Sequence, residues 1–250
     1  MVQSKGWDWE NANQSAWLKP TEDSYYLSQV WKEKGYSKLL DLGTGLGRHA
    51  VHFAKNGFDV SAVDISDYGI RHLISWAENE KLPIKAVTGD MLHLPYPDKE
   101  FDCVFAYHVV SHSDTQGVEM IISEIERVLK RDGEIFLSFC SKESIDFQEA
   151  QGDRIDGNTV IYQKEPEVGV PHFYADLADI IKLLHNFSIT KVRHTEYCSL
   201  DLHNRHKRMY YYVNAVYSPI GRSYRQRPLY QAFVRIFHHI RQKGINITMT

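Results

Sequence analysis

The run Ser37 to Gly57, SKLLDLGTGLGRHAVHFAKNG, decides how the chain reads. It opens on apolar Leu39-Leu40 and bends at three glycines spaced two apart, Gly43, Gly45 and Gly47. An apolar-periodic segment follows and stops at Asn56-Gly57. This pattern predicts a strand, a tight glycine turn and a helix. Glycine at such a turn permits positive φ and lets a ligand approach the main chain where a Cβ would stand. The first N–H groups of the following helix add donors without intrahelical partners. A flat or anionic cofactor is expected above the turn. Taken alone, the same turn also suits a plain strand-to-helix connection.

The flanking residues narrow the choice. Asp41 precedes the first glycine by two, giving D-x-G-x-G-x-G, and Phe58 to Asp64 reads as a second strand that ends in an acid. The dinucleotide fingerprint G-x-G-x-x-G places its third glycine one position later, which argues against a nicotinamide dehydrogenase. Further strands are expected at Ile84 to Asp90, Phe101 to His108 and Glu134 to Phe139, the last preceded by Arg127-Val128-Leu129-Lys130-Arg131-Asp132-Gly133 at the end of a helix. Between them, Ile70, Leu73, Ile74 and Ala77 recur at helical spacing behind a Ser66 cap, and Val118, Ile121, Ile122, Ile125 and Val128-Leu129 repeat the pattern. Strand and helix alternating in units of about 20 to 25 residues demand a parallel α/β sheet with helices on both faces. Ligands bind such sheets at the carboxyl ends of the strands, where Asp41, Asp64, Asp90 and His108 fall.

Over residues 37 to 140, in order and spacing, the chain resembles the class I S-adenosylmethionine (SAM) dependent methyltransferases. The resemblance implies a Rossmann-like, doubly wound, mostly parallel seven-stranded sheet with an antiparallel last strand and a small cap. It implies SAM as cofactor and S-adenosylhomocysteine as product. Cofactor-binding positions carried over are Asp41, Gly43, Thr44, Gly45 and Gly47 at the turn, Asp64 and Ile65 after the second strand, Asp90 and Met91 after the third, and Tyr107 after the fourth. In this family the acid after the second strand holds the ribose hydroxyls, an arrangement that Asp64 suits because a carboxylate accepts both in charge-assisted hydrogen bonds. Asp90 is placed near the adenine, and Asp41 is expected to order the turn and favour the cationic amino group.

Methyl transfer is an in-line displacement at an activated carbon, so the protein mainly aligns the acceptor and excludes water. A general base is needed only where the acceptor must lose a proton. The catalytic candidates are His108 and His112, just past the fourth strand, because a histidine titrating near neutrality suits that task. The alternative is that His108 lines the pocket or packs on the adenine.

Residues 1–36 carry Trp7, Trp9, Trp17, Tyr25, Tyr26 and Trp31. Tyr25, Leu27 and Val30-Trp31 fit one helical face, and the extension reads as a lid over the cleft or as a helix packed on the sheet edge. The domain proper is expected over 37–218, with an irregular cap insertion at about 141–174, too long to be idle in a compact domain. Substrate-facing residues are expected at Trp7, Trp9, His172, Phe173 and Tyr174. A last helix, Ala175 to His185, and closing strands at Phe187 to Tyr197 and Arg208 to Tyr217 complete the domain.

Residues 219–250 form a basic amphipathic segment with Leu229, Phe233, Ile236, Phe237 and Ile240 on one face. From Leu202 to Thr250 there are nine Lys or Arg and no Asp or Glu, against a net charge of −3 for the 250 residues. That segment suits a homodimer contact, a solvated tail or an acidic partner. An RNA or protein methyltransferase and a non-catalytic SAM-binding module are therefore kept beside the favoured reading, methyl transfer to a small-molecule acceptor. With 43% hydrophobic residues and no apolar run approaching 18, no membrane partner is expected and the protein reads as cytoplasmic. Cys103, Cys140 and Cys198 read as buried thiols and no metal site is expected.

Overall fold

The computed structural model describes residues 5, 7, 9, 17–150, 153–163, 167–198 and 207–219. Strands β1 (Lys38–Leu42), β2 (Asp59–Asp64), β3 (Lys85–Thr88), β4 (Phe101–Ala106) and β5 (Leu129–Ser141) run parallel in the order β3-β2-β1-β4-β5. β9 (Lys207–Tyr217) pairs antiparallel with β5 from Glu134 to Cys140, and β8 (Phe187–Cys198) pairs antiparallel with β9. These seven strands are the sheet the sequence leads one to expect, antiparallel last strand included. Two more, β6 (Thr159–Ile161) and β7 (Pro171–Ala175), form an antiparallel hairpin in the cap stretch. β9 holds one edge of β5, so β7, which pairs with Cys140 and Ser141, takes the edge that β4 vacates beyond Ala106.

Alternation along the strands sorts the core into two layers. Leu40, Val63, Val104, Ala106, Ile135 and Leu137 face helices α4 (Thr115–Val128) and α6 (Leu177–Leu183). Leu39, Val60, Ala62, Cys103, Phe105 and Phe136 face α1 (Glu22–Glu33), α2 (Arg48–Lys55) and α3 (Asp67–Glu80). Burial on both faces explains why β1 and β4 read as near-continuous apolar runs. Side-chain caps start three helices: Ser66 accepts from Gly69 N–H, Asp114 from Gly117 N–H, and Asp176 forms a capping box with Asp179.

Several local expectations shift. The α1 stripe that meets the sheet is Ser24, Leu27, Ser28 and Trp31, whereas Tyr25 is 49% exposed, one position off the face. Ile74 is likewise 40% exposed, at the rim of the α3 stripe. The last helix starts at Leu177, because Ala175 still pairs with β5 and Asp176 is its cap. The fifth strand starts earlier than expected: α4 ends at Val128, and Leu129 onward is β5. The amphipathic helix, basic face and dimer contact expected beyond Pro219 lie outside the described residues, as do residues 10–16. Among the described residues no helix is long and apolar enough to cross a membrane.

Candidate active site

One cleft opens at the carboxyl ends of β1, β2 and β4, where the sequence places its acids. Its floor is the glycine turn, with φ of 67° at Gly43, 56° at Gly45 and 94° at Gly47. The three glycines serve different ends. A Cβ at Gly43 would stand 2.1 Å from Val109 Cγ2, one at Gly45 2.6 Å from the Trp9 ring, and one at Gly47 2.4 Å from Leu73. Gly43, Thr44 and Gly45 line the cleft, whereas Gly47 lets α2 begin tightly against α3 and does not. Asp41 is 1% exposed and also outside the lining. It accepts a 2.6 Å hydrogen bond from the Thr44 hydroxyl, and burial pushes its carboxyl up to about 7. The expected turn-ordering role fits this placement, but direct attraction of a ligand's amino group does not, because the side chain points under the turn.

Asp64 is the strongest polar feature of the floor. Its Oδ2 accepts from Gly45 N–H and its Oδ1 from Ser66 N–H, both at 2.8 Å, which welds the second strand's end to the glycine turn. Burial raises its pKa, opposed by those N–H groups. Each oxygen keeps further lone-pair capacity for a ligand. Ile65, Asp90 and Met91 continue the wall, with Asp90 Oδ1 held by Leu92 N–H at 2.9 Å. Sequence reasoning missed Gly69: a Cβ there would stand 2.5 Å from the Gly45 carbonyl oxygen, so the first turn of α3 rests on the glycine turn. Its only trace in the sequence is a glycine at a helix position where almost any other residue favours the helix more.

The N-terminal segment and the cap meet over this floor. Trp7, Trp9 and Trp17 form an edge-to-face cluster with centroids 4.8 to 5.8 Å apart. The Arg48 guanidinium lies 5.0 Å from the Trp17 ring and 5.5 Å from that of Tyr107. Lys5 Nζ donates to the Val168 carbonyl at 2.5 Å, tying the N-terminal segment to the cap. Trp7 Nε1 is buried with no hydrogen-bond partner among the described residues. His172 and Tyr174 line the cleft as expected, but Phe173 does not: it is 1% exposed in the core. The reason is the pleat of β7, which sends neighbouring side chains to opposite faces.

His108 and His112 both line the cleft. His108 takes a left-handed φ of 54°, uncommon for a residue with a Cβ, and its N–H donates to Ser138 Oγ at 2.6 Å. Its ring is sandwiched between Tyr107 and Tyr210, at 4.1 and 4.2 Å, and Nε2 is 3.0 Å from the Tyr212 hydroxyl. Burial lowers the pKa of both histidines to about 3. That direction does not suit a base titrating near neutrality; burial favours the neutral form of both rings.

Beyond the histidines the cleft is lined by a polar set, here called the chamber, that the sequence did not disclose: Cys140, Ser144, Asp146, Tyr162, Glu167, Arg208 and Tyr210. Arg208 Nε pairs with Asp146 Oδ2 at 3.2 Å, and the Tyr162 hydroxyl donates to the same carboxylate at 3.0 Å. Burial pushes the Cys140 thiol up to about 12, so it stays protonated and is a poor nucleophile. The chamber draws on β5, α5 (Ile145–Gln148), the cap loop and β9, four segments spread over the sequence with no shared motif. A lone arginine at the start of a strand or a glutamate in a loop gave no signal separable from surface charge.

A parallel sheet with a glycine turn after β1 and acids after β2 and β3 defines a Rossmann-like α/β protein built to hold a nucleoside. Residues 40–137 match a family model described as a methyltransferase domain. That stretch is thus similar to a methyltransferase domain, as the resemblance to the class I SAM-dependent family leads one to expect. Over 112 residues it is 36% identical to a sterol 24-C-methyltransferase of Gibberella zeae, a match covering 44% of this chain and 29% of that one. The chain thus spans under a third of that relative's length. In fold it is similar to a SAM-dependent methyltransferase of Methanosarcina mazei, with TM-score 0.66, 18% identity and coverage of 81% of this chain and 100% of that one. It is also similar to a Burkholderia thailandensis 1,6-didemethyltoxoflavin N1-methyltransferase solved with 1,6-didemethyltoxoflavin and S-adenosylhomocysteine. There the TM-score is 0.57, with 17% identity and 82% of each chain covered.

Proposed function

We propose that this protein transfers the methyl group of SAM, by in-line displacement, to a small polar acceptor seated in the chamber next to the glycine turn. The observation that carries the reading is one cleft with two chemically distinct ends. At one end are the glycine floor and acids of a nucleoside site, at the other a buried set of hydrogen-bonding and charged side chains.

The residues present fit SAM. Gly43 and Gly45 line the cleft, and the missing Cβ atoms let Val109 and the Trp9 ring close on the turn. Asp64 has acceptor capacity left for a ribose diol, and Asp90, with one carboxylate oxygen taken by Leu92 N–H, has it for an exocyclic amine. The indole cluster and Tyr107 supply π-faces suited to a sulfonium cation. When bound, SAM supplies a methyl group already activated by its positive sulfur. What remains for the chain is to bind, align and keep water out. Trp7, Trp9 and Trp17 roof the floor, and the Lys5 contact to Val168 closes that roof against the cap. Tyr107, Tyr210 and Tyr212 hold His108 by stacking and hydrogen bonding, which suits it to positioning more than to proton removal.

The similarity to the Gibberella zeae sterol methyltransferase covers 44% of this chain, and the chamber argues for a different acceptor. A sterol nucleus would pack hydrocarbon against Asp146, Tyr162, Glu167 and Arg208, which pair among themselves and with His172 but keep hydrogen-bonding capacity that hydrocarbon cannot meet. A polar metabolite satisfies them. Incubating the protein with methyl-labelled SAM and a fractionated metabolite pool tests the reading. Label should pass to polar low-molecular-weight fractions. Transfer only to sterols, to RNA or to protein would overturn it.

A further inference from the structure

We propose that His112, Glu167 and His172 form a binding site for a divalent first-row transition cation on the wall of the acceptor chamber. The three side chains converge from the loop after β4, the cap loop and β7, and one ligand atom of each lies within 4.8 Å of the others. His172 Nε2 stands 3.2 Å from Glu167 Oε1. Two ligands about 2.0 to 2.1 Å from a tetrahedral ion lie about 3.3 Å apart, so this pair already has the spacing of a coordination edge. A small rotation of His112, whose ring centroid is 4.8 Å from that of His172, brings in the third.

The tautomer of His172 strengthens the assignment. Its Nδ1 lies 3.1 Å from the Val170 carbonyl oxygen, which only accepts, so Nδ1 carries the proton. Nε2 is then the nitrogen that faces a carboxylate oxygen 3.2 Å away, a contact that a proton on the ring or a shared cation completes. A backbone carbonyl holding the far nitrogen of a ligating histidine is also the usual way a metal ligand's orientation is fixed. Arg208, in the same chamber, is engaged with Asp146 at 3.2 Å. Two imidazoles and one carboxylate suit Zn²⁺, Fe²⁺ or Co²⁺ better than Mg²⁺ or Ca²⁺, which prefer oxygen. Three protein ligands leave a coordination position facing the chamber, open to a thiol, hydroxyl or amine lone pair of the acceptor. That role rests on the methyl-transfer reading; the metal site does not.

The test is titration of the metal-free, full-length protein with Co²⁺, followed by its visible d–d absorption and by elemental analysis after desalting. About one equivalent should bind and be displaced by Zn²⁺. Glu167→Gln and His112→Ala should each weaken binding by about tenfold or more, while His185→Ala, at an exposed histidine, should leave it unchanged. No stoichiometric binding by the unmodified protein, or binding indifferent to both Glu167→Gln and His112→Ala, would overturn the proposal. SAM titration calorimetry on the same samples separates the two readings. Heat from SAM with no Co²⁺ spectrum rejects the metal site alone, and a Co²⁺ spectrum with no SAM heat rejects the cofactor reading alone.

Discussion

Replacing Asp64 by Asn tests the core of the cofactor site with the least change of shape. In the native protein both carboxylate oxygens accept backbone N–H groups, from Gly45 and Ser66, each at 2.8 Å. The amide oxygen of Asn can take over only one of them. The other N–H then faces an NH₂ group, two donors in contact, and a buried donor left unsatisfied costs about 1 to 3 kcal/mol. A second loss falls on the ligand: the ribose diol exchanges a charged acceptor for a neutral one or for a donor, about 1.5 to 3 kcal/mol for a charge-assisted bond. At about 1.4 kcal/mol per decade, SAM affinity should fall roughly 10- to 150-fold. Titration calorimetry with SAM and with S-adenosylhomocysteine reads the second effect, and denaturant unfolding without ligand reads the first. Affinity within about twofold of native together with an unchanged unfolding midpoint would refute the reasoning, because neither hydrogen-bond role would then exist.

Gly69→Ala should destabilise the protein by about 1 to 3 kcal/mol although alanine is the better helix former, because its Cβ would stand 2.5 Å from the Gly45 carbonyl; a rise in the unfolding midpoint would refute that contact. Tyr212→Phe removes a hydroxyl that meets His108 Nε2 at 3.0 Å, Tyr197 at 3.0 Å and Tyr107 at 3.3 Å. The exposed Tyr197 can turn to water but the sandwiched His108 cannot, so a loss of about 1 to 3 kcal/mol in denaturant unfolding is expected, and none if the bond to His108 is absent. His49 is buried against Phe105 and Tyr107, and burial lowers its pKa well below 6.5. Its unfolded form binds a proton that the folded form refuses, so stability is full above about pH 6.5 and drains as pH falls. Between about pH 6.5 and 5.5 this histidine alone should remove about 1 kcal/mol, a slope that His49→Gln should flatten in unfolding measured across that range.

Much of this protein was legible in one dimension because its cofactor half is built from local pieces. Strand, glycine turn, helix and terminal acid sit within a few residues of one another, so Gly43, Gly45, Asp64 and Asp90 announce themselves by spacing. Apolar runs between helical patterns likewise disclosed the sheet, since strands covered by helices on both faces bury nearly every side chain. Tertiary structure decided the rest. Asp41 and Gly47 share the motif yet lie under the turn, where they shape it without touching the cleft. Phe173 is parted from His172 and Tyr174 by the pleat of one strand. The neutrality of His108 comes from the tyrosines and the buried setting around it, contributed by β9 as much as by its own loop. The acceptor chamber, from His112 to Arg208, joins side chains up to about a hundred positions apart whose chemistry is mutual: a glutamate, two histidines and an arginine acquire a role only when folding removes the water between them.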